Sequence, residues 1–239
     1  MVDTGDLKSP GETHAGSSPA LGTKMAAPMT IREEICRVTK RLYDRDLIGP
    51  SEGNVSARTD SGTIIATPKA KDKARLSPED LVELQLDGSL LCADSSPEPS
   101  SEIKMHLRIY RERQDCKAVV HAHPIFATGL ATAGKSIPDD VLPESGYYLG
   151  RVALVPFAIP GTDAVGEAIA QFAKEHKTFL LQNHGAVTIG ANLEDAYMRM
   201  ETLERVAKTL FIAEAHGGAQ RLSEGAMAWL SEVGLSGKL

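Results

Sequence analysis

The spacing of apolar residues along the chain alternates between helix-like and strand-like patterns. Apolar positions recur every three or four residues from Ile31 to Ile48, which predicts an amphipathic helix with a capping box at Thr30. The same spacing predicts helices over 100–115, 125–134, 163–176 and 192–218, with a short one near 225–233. Strand-like runs lie between them, over 53–58, 62–68, 81–91, 117–124, 151–159 and 178–190. This alternation, with two hairpin signals, predicts a mixed α/β protein with a largely antiparallel sheet and helices on its faces.

The first 28 residues lack any hydrophobic period. They are rich in Gly, Pro, Ser and Ala, and they lack the basic start and apolar centre of a secretory signal. We therefore expect a disordered tail over 1–28, followed by a single domain over 29–239.

Composition and charge narrow the class of partner. The formal net charge is −6 and no long basic run occurs, which argues against nucleic-acid binding. No apolar run approaches the roughly 18 residues of a membrane span. The 3 cysteines are scattered and odd in number, which favours a reducing compartment and thus a cytoplasmic protein.

Two of the 7 histidines lie two positions apart in the strand-like segment AVVHAHP, residues 118–124. Residues i and i+2 of a strand point to the same face, so His121 and His123 can bind one ion together. For this pair alone, the alternative is one histidine satisfied in the core and one in solvent.

His184 makes a metal site the better interpretation. It lies in the segment QNHGAV, at a break between two strand-like runs, where we expect Gly185 to provide a sharp turn. Three imidazoles with one open position are typical of catalytic zinc, and imidazole also suits manganese or cobalt. The other histidines are expected to be structural or on the surface: His14, His106, His176 and His216.

Two further polar positions each allow two interpretations. Glu102 falls in the first turn of a predicted helix, behind Ser100 and Ser101. It either caps that helix or, near a metal, acts as a general base or a fourth ligand. The Gly-Asn turn in SEGNVSAR is either a plain loop or an anion cradle made of backbone N–H groups and the Asn54 amide.

Five segments of the chain occur together in a characteristic order. They are GNVSAR at 53–58, TPKAKDKARLSPEDLV at 67–82, SSEIKMH at 100–106, AVVHAHP at 118–124 and LLQNHGAVTIG at 180–190. In this combination the chain resembles the class II aldolase/adducin family over roughly 31–217. No single segment would carry the resemblance alone.

The resemblance implies a three-layer α/β/α fold with a central, mainly antiparallel sheet. It also implies a homotetramer with sites near the subunit interfaces. His121, His123 and His184 match the family's metal ligands. Glu102 matches a carboxylate that binds the metal in the absence of substrate and then acts as acid or base.

The activity implied by the resemblance is that of a zinc-dependent class II aldolase of carbohydrate metabolism. Such a lyase cleaves a sugar phosphate, such as L-fuculose 1-phosphate, to dihydroxyacetone phosphate and an aldehyde through a metal-stabilised enediolate. Alternatives on the same site are a decarboxylase of a 3-oxo sugar-acid phosphate and a sugar-phosphate 4-epimerase. A non-enzymatic, adducin-like module is disfavoured because such domains have lost metal ligands that this chain keeps.

The chain departs from the aldolase pattern in the expected phosphate pocket. Asn54, Ser100 and Ser101 match residues of that pocket, but Lys69 and Ala70 replace a Thr-Gly pair. We expect Lys69 to hold a phosphate or a substrate carboxylate by its charge, the alternative being a solvated loop.

A second departure concerns the proton donor. The aldolases have a tyrosine acid a few residues after the segment that matches 136–138, and ungapped counting places Leu142 there. The nearby candidates for the acid are Glu144, Tyr147 and Tyr148, and a loop shift could supply one of the two tyrosines across the subunit interface. This difference weakens the expectation for fuculose phosphate itself and leaves room for decarboxylation.

Overall fold

A seven-stranded sheet forms the centre of the part of the chain that the computed structural model describes, residues 29–91 and 97–235. The predicted tail over 1–28 lies outside these residues. The strands are β1 (Asn54–Arg58), β2 (Ile64–Ala66), β3 (Val82–Leu84), β4 (Ala118–Ala122), β5 (Val152–Val155), β6 (Thr178–Leu181) and β7 (Gly185–Gly190). Their order is β3-β2-β1-β4-β7-β6-β5, and only the β5–β6 pair is parallel. This confirms the predicted, mainly antiparallel α/β fold.

Helices cover both faces of the sheet and form the outer layers. They are α1 (Ile31–Asp44), α2 (Ile103–Glu112), α3 (Ile125–Thr132), α4 (Asp163–Ala173), α5 (Leu193–Ala215) and α6 (Glu224–Leu235). One apolar core joins the sheet to α1, α3 and α5, and a second joins it to α2 and α4. No helix in the described part of the chain is long and apolar enough to cross a membrane.

Strand β4 lies in the middle of the sheet and is buried on both faces. Its alternation sends Ala118, Val120 and Ala122 into the core beneath α1, α3 and α5. Val119 faces the opposite core, beneath α2 and α4. His121 shares the face of Val119, so the first histidine of the pair points towards the α2 layer.

The first helix is shorter than predicted. It ends at Asp44 rather than at Ile48, because Asp46 adopts a left-handed φ of 55° and turns the chain away. Leu47 is buried beyond this turn, and its carbonyl accepts a hydrogen bond of 2.9 Å from the His123 backbone N–H. The early end of α1 therefore fixes the backbone of His123.

Candidate metal centre

Three histidines from separate parts of the chain meet at one end of the sheet. His121 lies in β4, His123 follows its last residue, and His184 lies in the turn between β6 and β7. The three ring centroids are 4.8 to 5.3 Å apart. Each ring offers a nitrogen within 4.8 Å of the other two, so the three can bind one metal ion.

The orientation of the His121 and His123 rings suits a shared ion. Their Nε2 atoms are 3.1 Å apart, close to the roughly 3.3 Å expected for two ligands on one tetrahedral ion with bonds of about 2.0–2.1 Å. His121 Nδ1 lies 2.9 Å from the Ala186 carbonyl, which can only accept a hydrogen bond. A proton on Nδ1 can be donated to this carbonyl, which leaves Nε2 free to serve as the ligand atom when a metal ion is bound.

His123 is neutral in this environment. Burial lowers the pKa of His123 to about 4, and the nearby His121 acts in the same direction. A neutral imidazole has a free lone pair at neutral pH, as a metal ligand requires.

Glu102 completes the cluster from the first turn of α2. It occupies the N-cap position, but its side chain does not cap the helix. Its Oε2 lies 3.1 Å from His121 Nε2, and its Oε1 lies 3.0 Å from His184 Nε2. Asn54 Nδ2 donates a hydrogen bond of 2.9 Å to Oε2. The carboxylate thus faces the histidines rather than the helix end.

The charge state of Glu102 follows from two opposing effects. Burial alone would raise its pKa, but His121 and His184 lower the pKa below its usual range. Among the described residues, buried Oε1 has no hydrogen-bond partner, since its contact with His184 lacks hydrogen-bond geometry. An ionised, incompletely satisfied carboxylate beside three imidazoles fits a divalent cation.

Gly185 serves the centre differently from what the sequence predicts. The left-handed residue of the turn is Asn183, with a φ of 55°, whereas Gly185 belongs to β7. A Cβ atom at Gly185 would lie 2.6 Å from the Ala122 carbonyl oxygen and 2.6 Å from His123 Cδ2. Glycine is therefore needed here for space between the ligand-bearing segments, and the expected turn role was wrong.

A buried polar stripe on α2 supports Glu102. Glu102, His106 and Tyr110 are spaced four residues apart and so share one face of the helix. The His106 Nδ1 atom lies 2.7 Å from the Ser56 hydroxyl, which is 2.9 Å from the Tyr110 hydroxyl. With the Asn54–Glu102 bond, these contacts fix the rotation of α2 against β1. His106 is structural, as expected, but the sequence interpretation missed its connection with Glu102.

The residues expected to bind phosphate lie around the loop that follows β2. The Ser100 hydroxyl accepts a hydrogen bond of 3.4 Å from the Glu102 backbone N–H. Ser101 packs against Gly161, where a Cβ atom would lie 3.4 Å from that of Ser101. Lys69 Nζ forms an exposed ion pair of 3.1 Å with Glu98.

The position where Lys69 and Ala70 replace a Thr-Gly pair has a backbone conformation that suits glycine. Ala70 adopts a left-handed φ of 56°, a conformation that glycine tolerates better. In the same loop, Lys73 is buried and its Nζ donates 2.9 Å to the Pro68 carbonyl. Burial lowers the pKa of Lys73. Lys73 thus links the end of this loop to its start through a buried hydrogen bond.

The candidate proton donors lie on the side of the sheet covered by α5. Leu142 and Glu144 line a cavity of about 410 Å³ together with Met198 and other residues of α5. Tyr147 and Tyr148 belong to a helical turn over Ser145–Leu149 that the sequence pattern did not predict.

Tyr148 is already engaged by its own chain. The Arg199 guanidinium lies 4.8 Å from the centre of the Tyr148 ring. Burial raises the pKa of Tyr148 to about 12. Among the candidate acid–base groups, Glu102 is the one that contacts both His121 and His184 in the described part of the chain.

Comparison with known proteins agrees with the geometry. The model of the class II aldolase and adducin N-terminal domain family matches residues 33–211. The chain belongs to this family. It is 36% identical over 205 residues to a 3-oxo-tetronate 4-phosphate decarboxylase of Pectobacterium atrosepticum, covering 84% of this chain and 91% of that protein.

Two further proteins are similar to this chain over most of its length. An L-fuculose phosphate aldolase of Methanocaldococcus jannaschii is 33% identical, over 74% of this chain and 93% of its own length. The crystal structure of YgbL from Escherichia coli superposes with a TM-score of 0.78 at 33% identity, covering 84% of this chain and 97% of YgbL. The chain is therefore related to both decarboxylases and aldolases, and the decarboxylase similarity extends over more of it.

Gly185→Ala is expected to weaken Zn²⁺ binding by about 10- to 100-fold, because the added Cβ displaces His123 from its ligand position. Competition with a chromophoric chelator measures the affinity, and circular dichroism checks the fold. Gly129→Ala in α3 is the matched control, since a Cβ there meets no atom within 4 Å. Wild-type affinity in a folded Gly185→Ala protein would contradict the spatial role.

Acidification from pH 7 to pH 5 should cost the metal-free protein about 2 kcal/mol of unfolding free energy through His106 alone. Burial lowers the pKa of His106 from 6.5 to about 3 in the folded state. The unfolded chain therefore takes up the proton first, and stability present above pH 6.5 is lost as the pH falls towards 3. Urea unfolding at both pH values measures the loss.

His106→Asn keeps a polar group near Ser56 but does not titrate. Between pH 7 and pH 5, the variant should therefore lose about 2 kcal/mol less unfolding free energy than the wild type. The exposed His216→Asn is the control and should lose as much stability as the wild type. Equal pH dependence in His106→Asn and the wild type would show that a neutral, buried His106 is the wrong description.

Proposed function

We propose that this protein is a divalent-metal-dependent decarboxylase of a 3-oxo sugar-acid phosphate, of the 3-oxo-tetronate 4-phosphate type. The observation that carries the proposal is the 36% identity to such a decarboxylase over 84% of the chain. This favours the decarboxylase alternative over the aldolase reading expected first. His121, His123 and His184 would hold the metal, with zinc as the first choice and manganese or cobalt as alternatives.

The substrate class defines the bonds that change. A 3-oxo acid breaks the bond between its carboxyl carbon and C2, and the bonding electrons move towards the 3-oxo oxygen. When bound, the metal supplies a Lewis acid that polarises this carbonyl and stabilises the negative charge on its oxygen. One proton must then reach C2. For 3-oxo-tetronate 4-phosphate the products are carbon dioxide and dihydroxyacetone phosphate.

Glu102 is suited to deliver that proton. Its carboxylate is ionised because it faces His121 and His184. Burial of the carboxyl acts in the opposite direction and favours the protonated acid, so Glu102 would become a proton donor where its contacts with the histidines are lost. Its position beside the histidines would bring it close to the carbon of a metal-bound substrate that accepts the proton.

Decarboxylation also requires fewer acid–base groups than aldol cleavage does. Aldol cleavage requires removal of a proton from a hydroxyl group as well as protonation of a carbon, so it benefits from a second acid–base group. Decarboxylation needs only the carbon protonation, which Glu102 alone can serve. The candidate second acids, Glu144, Tyr147 and Tyr148, lie beside α5 in the same chain.

The substrate anions would be held around the loop that follows β2. Ser100 and Ser101 stand beside Glu102 at the start of α2, and Asn54 contacts Glu102 directly. Lys69 and Glu98 are both exposed, and such ion pairs are weak enough to exchange for a substrate phosphate or carboxylate.

The decisive assay gives metal-replete protein 3-oxo-tetronate 4-phosphate and, separately, L-fuculose 1-phosphate. Dihydroxyacetone phosphate arises from both reactions, so carbon dioxide and aldehyde are the products to follow. We expect carbon dioxide from the first substrate and no aldehyde above background from the second. Aldehyde release without carbon dioxide would reject the decarboxylase and establish the aldolase.

Glu102→Gln should retain the metal but slow turnover by about 10²- to 10⁴-fold, the usual effect of losing a general acid. Metal content and carbon dioxide release are measured on the same preparation. His123→Ala is the companion variant and should lose both metal and turnover. A Glu102→Gln enzyme with nearly wild-type turnover would remove Glu102 from the proposed mechanism.

A further inference from the structure

The outer nitrogen of His123 differs from that of His121 in its surroundings. His121 Nδ1 is held by the Ala186 carbonyl at 2.9 Å. The Nε2 atom of His123 faces His121, so its Nδ1 points away from the cluster. The atom it meets there is Oε2 of Glu52, at 3.8 Å.

Glu52 is held in this place by its own loop. Its Oε2 accepts a hydrogen bond of 3.0 Å from the Gly49 backbone N–H, and its backbone N–H donates 3.3 Å to the Gly49 carbonyl. The carboxylate therefore belongs to a closed turn rather than to a free side chain.

The loop that carries Glu52 packs against strand β4, which contains His121. Gly53 has a φ of 65°, and a Cβ atom there would lie 2.8 Å from the His121 carbonyl oxygen. The backbone next to Glu52 thus packs directly on β4, and Asn54 follows as the first residue of β1.

From this geometry we propose that Glu52 is a positioning residue, whose carboxylate accepts the Nδ1–H of His123 and orients that ring towards the metal. A histidine that binds a metal generally donates its other ring N–H to a carboxylate, a carbonyl or water, which fixes its tautomer and orientation. The proposal rests on the metal site of the proposed function.

The contact needs only a small adjustment to form. Shortening from 3.8 Å to the roughly 2.9 Å of a hydrogen bond requires a movement of about 1 Å. The Glu52 side chain is 51% exposed, and its Oε2 can accept a second hydrogen bond in addition to the one from the Gly49 N–H. Metal binding to Nε2 increases the acidity of the Nδ1–H and so strengthens this bond.

The test measures the Zn²⁺ dissociation constant of the full chain by competition with a chromophoric chelator. Glu52→Ala should bind Zn²⁺ about 10- to 100-fold more weakly than the wild type. Glu52→Gln keeps an acceptor oxygen in the same place and should recover most of the loss. The d–d spectrum of the Co²⁺-loaded protein should change in Glu52→Ala and stay near that of the wild type in Glu52→Gln.

Glu175→Ala, which removes an exposed carboxylate from the turn after α4, is the matched control for net charge and should bind Zn²⁺ like the wild type. Affinity within threefold of the wild type in Glu52→Ala would overturn the proposal. So would equal losses in the alanine and glutamine variants, because charge alone would then explain them. A wild-type chain that binds no Zn²⁺ would instead overturn the proposed metal site itself.

Discussion

The strict alternation of β4 is the constraint on which the rest of the structure depends. A central strand buried on both faces must give one face to each core, so its polar residues can be accommodated only near its end. Ala118, Val120 and Ala122 fill one core, while His121 faces the other side and is held by the Ala186 carbonyl. Placing an imidazole at a fully buried position requires partners for both ring nitrogens, and the neighbouring segments supply them.

Those partners explain why α2 is polar along a buried face. Glu102 at its start contacts His121 and His184, and one turn later His106 bonds to Ser56. Apolar packing alone would tolerate small rotations of the helix, whereas these directional contacts do not. The helix therefore acts as a rigid support for the carboxylate, and its stability depends on a histidine that stays neutral when buried.

The sequence was sufficient to predict features that depend on local periodicity. The α/β class follows from the spacing of apolar residues, the mainly antiparallel sheet from that spacing with two hairpin signals, and the common direction of His121 and His123 from their separation by two residues. Features set by tertiary contact were harder to predict. Gly185 was expected to turn the chain, but it is needed for space, because only folding brings Ala122 and His123 against it. The sequence does not predict a role for Glu52, because nothing in its local sequence indicates that it faces His123.

The family's chemical range becomes easier to understand from this arrangement. A metal held by three imidazoles beside one carboxyl group would suit any reaction that leaves negative charge on a carbonyl oxygen. Which bond breaks then depends on whether further acid–base groups reach the substrate. In this chain, Glu144 lines a cavity beside α5, and the turn that carries Tyr147 and Tyr148 also contacts α5.

We infer that His121, His123 and His184 bind one metal ion next to Glu102. X-ray absorption at the metal edge of the Zn²⁺-loaded protein reports the ligands of that ion. We expect one ion per chain with three imidazole nitrogens at about 2.0–2.1 Å and at least one oxygen ligand. A coordination shell of oxygen or sulfur without imidazole scattering would contradict it.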